Sequence, residues 1–205
     1  MRKGWTVAAM QYTAWTNPGI VFSSVGGGQA WTNPTNVGGT PDLARATLPA
    51  STSWSSSQVL FPSSGTIDWT SILPADAIVQ EIWVQFYTQA AGILTGPPYR
   101  TWNLYLSTSL SLLGTAKTLD LNSQGGGQNW RTLGGSLASW GTDLAGISSW
   151  LTDGAAAMLV TNGNSSGTIG LDAMQLRLGY TLPMVSGVLS RSNAALRVGV
   201  GISIG

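Results

Sequence analysis

The chain has 205 residues, 43% of them hydrophobic and only 8% charged, with nine Lys and Arg set against eight Asp and Glu. It is long enough for one sizeable domain with a real core, and its surface must be built mainly from Ser, Thr, Asn, Gln and Gly. Neither His nor Cys occurs, which removes disulfides, thiolate nucleophiles, Cys-ligated metals, the Ser-His-Asp triad and imidazole acid–base chemistry.

A net charge of +1 with scattered cations gives no footprint for nucleic acid. Arg2 and Lys3 precede an apolar stretch, Trp5 to Met10, that is too short for a secretory signal. No window reaches the roughly 18 apolar residues that a membrane helix needs. The expectation is a non-enzyme without cofactor or metal, soluble or embedded in a protein assembly.

In chain order, Ala14-Trp15-Thr16-Asn17-Pro18 recurs as Ala30-Trp31-Thr32-Asn33-Pro34, with Gly26-Gly27-Gly28 between the copies. Each copy places a Trp before an Asn-Pro turn signal. The Trp side chains either cap a core or serve as sugar platforms, and two copies are too few for a solenoid. From residue 43 onward, short apolar runs alternate with polar turn clusters, the pattern of an all-β sandwich or barrel.

Leu43 to Leu48 and Gln58 to Phe61 read as short strands, separated by the Ser-rich run Ser51 to Ser57 with Trp54 inside it. Ile78 to Thr88 reads as the strongest strand. Its alternation predicts Ile78, Ile82, Val84 and Phe86 toward the core, and Glu81, Trp83, Gln85 and Tyr87 on the other face. Trp102, Leu104 and Leu106 share one face of a strand from Trp102 to Ser107, and Lys117 to Leu121 forms another. The stretch Asn122 to Asn129 is a long loop.

Leu137, Trp140, Leu144, Ile147 and Leu151 fall at helical spacing. Gly141 and Gly146 would each cost a helix about 1 kcal/mol, so at most one or two turns are expected near Asp143 to Trp150. Ala156 to Thr161 and Ile169 to Leu182 close the domain, and the apolar parity of the second changes between Leu171 and Met174, which a β-bulge explains. Finally, Leu196, Val198, Val200, Ile202 and Ile204 alternate with Arg197, Gly199, Gly201, Ser203 and Gly205. A strand with three glycines on one face suits close approach by another backbone.

The order of these signals resembles a known group. Leu73-Pro74-Ala75-Asp76-Ala77-Ile78-Val79-Gln80-Glu81-Ile82-Trp83-Val84 resembles the "I-P-x-x-A-x-I-x-G-I-x-V" strand of jelly-roll-like β-sandwich domains in tailed-bacteriophage structural proteins, with Glu81 in place of the expected Gly. Trp31-Thr32-Asn33-Pro34 with Ala44 to Leu48, then Trp140-Gly141, Leu159-Val160-Thr161-Asn162 and Leu171 to Tyr180, resemble further elements of that domain in the same order. The resemblance spans roughly residues 28 to 182 and implies an antiparallel β-sandwich of jelly-roll type. Residues 1–27 would be an N-terminal arm and 183–205 a C-terminal arm or strand.

It also implies a non-enzymatic virion structural protein located in the virion, in capsid decoration, a collar, a tail or a fibre. Such a protein would act through homo-oligomer contacts and contacts with other virion proteins. The alternative is a carbohydrate-binding or receptor-binding adhesin module that engages a host-surface glycan through exposed Trp. The interface candidates are Trp54, Trp130, Leu196, Val198, Val200, Ile202 and Ile204. For Trp54 and Trp130, burial in the same chain, a subunit contact and a glycan contact all stay open, whereas Trp102 and Trp140 fit core positions.

Carboxylate catalysis would need two acids roughly 5 to 9.5 Å apart, and Asp68, Asp76 and Glu81 are the nearest approach to such a set. Asp76 suits a turn and Glu81 falls on the solvent parity of its strand. For calcium, neither Asp153, Asn162, Asn164 and Asp172 nor Asp120 and Asn122 have spacing that enforces convergence.

Overall fold

The computed structural model describes residues 8–18, 21–25, 32–38, 40–48, 58–62, 67–91, 101–107, 112–120, 129–161 and 168–183. Its strands are β1 (Gln11–Tyr12), β2 (Val21–Val25), β3 (Ala46–Leu48), β4 (Gln58–Pro62) and β5 (Ile78–Ala91), followed by β6 (Thr101–Ser107), β7 (Leu112–Asp120), β8 (Asn129–Ser136), β9 (Ala155–Thr161) and β10 (Thr168–Thr181). They form two five-stranded antiparallel sheets. Sheet A has the order β1-β10-β5-β8, with β3 also pairing β10, and sheet B has the order β2-β4-β9-β6-β7.

The chain changes sheet at nearly every connection, and the fold is an all-β antiparallel sandwich of jelly-roll type. Among the described residues there is no α-helix. The helical spacing over Leu137 to Leu151 resolves into a 3₁₀ turn, Leu137–Trp140, and a run of turns. Gly141 stops the 3₁₀ turn at φ 67°, a left-handed conformation that glycine adopts without steric cost.

The core lies between the sheets. Ile82, Val84 and Phe86 of β5 meet Leu171, Met174, Leu176 and Leu178 of β10, with Leu104 and Leu106 coming from β6. At the end where β5 begins and β8 finishes, Trp69, Trp140, Ile147 and Trp150 are fully buried and cap the sandwich. Trp69 and Trp150 stack with ring centroids 5.9 Å apart, and Trp140 Nε1 donates to the Ile82 carbonyl at 3.0 Å. Trp140 is thus the core residue its pattern indicates; the side chain of Trp102 lies outside the described residues.

Several expectations require correction. Ile78 is exposed and Val79 takes the core position, because a register irregularity pairs Val79 with Tyr180 and Glu81 with Gly179 and so resets the parity of β5. Leu43 is 64% exposed at φ 72°, so the strand expected from Leu43 begins only at Ala46. The strand expected from Lys117 starts five residues earlier, at Leu112. Residues 1–27, expected as an arm, contain β1, which pairs β10, and β2, which pairs β4; this segment contributes to both sheets.

The bulge in the last strand is present between Leu171 and Ala173. Its extra residue, Asp172, is fully buried and accepts hydrogen bonds from the backbone N–H groups of Asp42 and Leu43 at 3.2 and 3.1 Å. It therefore fastens the loop before β3 to β10.

Candidate functional site

Side chains that alternate away from the core of sheet A converge on its outer face. The register sets Arg177, Trp83 and Gly134 in one row, Gln175, Gln85 and Thr132 in the next, and Tyr87 opposite Trp130 in a third. Neighbouring strands are about 4.8 Å apart, so residues within a row are direct neighbours.

Two glycines make room for the aromatic rings. A Cβ on Gly179 would stand 2.9 Å from a ring carbon of Tyr12 and 3.1 Å from Glu81 Cβ. Bare backbone at that point lets Tyr12 reach across β10 and donate its hydroxyl to Glu81 Oε2 at 2.9 Å. The same oxygen accepts from Trp83 Nε1 at 2.8 Å. A Cβ on Gly134 would meet ring atoms of Trp83 at 2.6 and 2.7 Å. The Trp83 indole therefore packs against the backbone of β8 at Gly134 and is half-buried there.

Arg177 sits opposite Trp83, and its guanidinium carbon lies 4.7 Å from the Tyr12 ring and 4.5 Å from the Trp15 ring. Both distances are within cation–π range. The contact joins the N-terminal segment to β10, which is also held by Thr13 and Thr16 through backbone bonds to Leu178 and Leu176. Arg177 Nε is buried without a hydrogen-bond partner among the described residues. The Tyr12 phenol is pushed above the ordinary tyrosine value by its hydrogen bond to Glu81, then by desolvation and by the charge of Glu81, while Arg177 opposes the shift.

A second aromatic station stands at the other end of the face. Trp130 is 39% exposed and meets Tyr87 edge-on, with centroids 5.5 Å apart. At ~3.4 Å per residue, Trp83 and Tyr87 are ~14 Å apart along β5. Between the two stations, Gln85 Nε2 donates to Gln175 Oε1 at 2.6 Å beside exposed Thr132. Beyond the Glu81 end, an open groove of about 470 Å³ is lined by Gln80, Ser136, Leu137, Thr142, Asp143 and Leu144.

Among the interface candidates, Trp130 belongs to this face. Trp54, Leu196, Val198, Val200, Ile202 and Ile204 lie outside the described residues. Of the carboxylates weighed for catalysis, Asp68 caps the 3₁₀ turn Trp69–Ser71, accepting from the Thr70 backbone at 3.0 Å. Asp76 occupies the turn before β5 at φ 62°, and Glu81 holds Tyr12 and Trp83. No group of three or more His, Cys, Asp or Glu positioned to hold a metal occurs among the described residues.

Sequence reasoning had Glu81, Trp83, Gln85 and Tyr87 on the outward parity but missed Tyr12, Trp15, Arg177 and Gln175 as their neighbours. The available signal was the polar parity of Gln175 and Arg177 in the last strand.

No family model and no curated protein matches the sequence. Among solved structures, the chain is similar to a xylan-binding module of family 15 at 8% identity and a TM-score of 0.40, over 86% of this chain and 99% of that one. It is also similar to a family 11 carbohydrate-binding module of a Clostridium thermocellum cellulosomal cellulase, at 12% identity and a TM-score of 0.33, over 89% and 93%. A xylan-binding domain of a Paenibacillus barcinonensis protein aligns at 11% identity and a TM-score of 0.28, over 85% and 97%.

Proposed function

We propose that the protein binds carbohydrate on the outer face of sheet A and does not turn it over. The observation that carries this reading is the pair of aromatic stations, Trp83 with Tyr12 at one end and Tyr87 with Trp130 at the other, separated by the amide row of Gln85 and Gln175. Aromatic rings offer apolar faces to the C–H surfaces of sugar rings, and amides supply both donors and acceptors for hydroxyls. The ~14 Å spacing along β5 suits an extended oligosaccharide better than a single sugar. Glu81 is engaged by two donors as a positioning group, and Asp68 is occupied in its own turn, so neither serves as half of an acid–base pair.

The direct test is titration of the purified protein with a panel of neutral and acidic oligosaccharides, in parallel with Trp83→Ala and Trp130→Ala. Binding by the native chain, weakened in both variants while the β-sheet circular dichroism spectrum persists, is the expected result. Release of reducing ends during incubation would overturn the non-catalytic part.

A second reading, a bacteriophage virion structural protein, is favoured by the ordered sequence resemblance across residues 28–182 and by the low charge. Surfaces poor in charge suit a subunit covered by neighbours. The two readings meet in a virion-exposed subunit that engages host-surface glycan. A defined homo-oligomer in solution supports the virion reading, and a monomer that binds glycan with full affinity favours a free-standing binding module.

A further inference from the structure

We propose that the ligand of this face is an acidic glycan and that Arg177 reads its carboxylate; this inference rests on the carbohydrate-binding reading. The two charged groups of the platform differ in their commitments. Glu81 already accepts from Tyr12 and Trp83. The Arg177 guanidinium is flanked by the Tyr12 and Trp15 rings and makes no hydrogen bond or ion pair with another described side chain. The rings offer no hydrogen-bond acceptor in their planes and Nε is buried, so the two terminal Nη groups are the fork that would match a carboxylate.

Position supports the same conclusion. Arg177 is the direct cross-strand partner of Trp83, so a sugar stacked on the indole has its edge substituents directed toward the guanidinium one strand away. A uronate carries its carboxylate on the ring edge, in that plane. Flanking rings also hold the long Arg side chain in place, which lowers the entropy lost when a ligand engages it. A neutral sugar gives the cation beside the Trp83 station no anionic ligand.

The test compares a matched pair of ligands, a β-1,4-linked gluco-oligosaccharide and the same oligosaccharide oxidised at C6 to an oligoglucuronate, by titration calorimetry against the native chain and Arg177→Gln. The oligoglucuronate is expected to bind the native chain at least tenfold more tightly than the neutral oligosaccharide. Its affinity should fall as NaCl is raised, and Arg177→Gln should weaken it by about tenfold to a hundredfold, the range of a charge-assisted hydrogen bond. The neutral oligosaccharide should be affected little by salt.

Arg177→Lys, which keeps the cation but loses the planar fork, should keep the acidic preference at reduced size, whereas damage to the platform would weaken both ligands alike. Equal affinity for both ligands, or equal loss of both in Arg177→Gln, overturns the inference and leaves carbohydrate binding standing. Failure of the native chain to bind either ligand or any member of a wider acidic and neutral panel overturns both.

Discussion

Replacing Glu81 with Ala removes one oxygen that two aromatic side chains share. The bond from Trp83 Nε1, at 2.8 Å, is partly buried, and a hydrogen bond to a charged acceptor in such a setting contributes about 1.5 kcal/mol. The bond from Tyr12, at 2.9 Å, is exposed to solvent and adds little. Glu81→Ala should therefore lower unfolding stability by about 1–2 kcal/mol, read as a lower urea midpoint with an unchanged slope.

The same variant makes a sharper prediction about Tyr12. Its pKa is raised chiefly by the hydrogen bond to Glu81, so loss of that acceptor brings it down toward the ordinary value of 10.0. A raised folded-state pKa favours folding fully below the unfolded value, and the contribution is lost as pH rises through the folded value. The native chain should thus lose stability above pH about 10 more steeply than Glu81→Ala does. Ultraviolet titration of each background against its Tyr12→Phe counterpart isolates this tyrosine. Unchanged stability together with an unchanged Tyr12 titration would refute the shared-oxygen arrangement.

Three further perturbations test the surrounding structure. In Gly134→Ala the added Cβ would meet the Ile82 carbonyl oxygen at 2.6 Å as well as the Trp83 ring, and the expected cost is about 1–3 kcal/mol, with a change in Trp83 fluorescence and loss of glycan binding. Trp69→Ala empties a fully buried site stacked on Trp150 and should cost about 3–5 kcal/mol by denaturant unfolding, more than Trp83→Ala, whose ring is only half-buried on the outer face of sheet A. Asp172→Ala leaves the Asp42 and Leu43 N–H groups without their acceptor and should cost about 1–3 kcal/mol, with faster hydrogen exchange in the loop before β3.

Alternation made the fold class legible, because a strand buried on one face imposes a two-residue period whatever its partners are. Leu171 and Met174 even revealed the bulge, since an inserted residue must shift the parity of everything after it. The same physics hid Ile78, where the irregularity that exposes it is set by pairing with β10 and leaves no mark in the apolar pattern of Ile78 and Val79. Leu43 misled for a related reason: the loop containing it is held by Asp172, 129 positions away in sequence, and its exposure follows from that tether.

The candidate site was half legible. Glu81, Trp83, Gln85 and Tyr87 share a face by parity alone. Tyr12 and Arg177 join them only through pairing of β1 with β10 and β10 with β5, and the Tyr12–Glu81 bond spans 69 positions. Gly134 and Gly179 show the same limit. Each reads locally as a residue that weakens a strand, and its purpose is visible only when the ring that crosses it is known.

Carbohydrate binding on the outer face of sheet A can be measured by calorimetric titration of the native chain and the Trp83→Ala/Trp130→Ala double variant with the neutral and acidic oligosaccharide panel. A binding face there requires saturable binding of at least one extended oligosaccharide by the native chain and none by the folded double variant. Absence of binding across the panel, or affinity undiminished in the double variant, would contradict it.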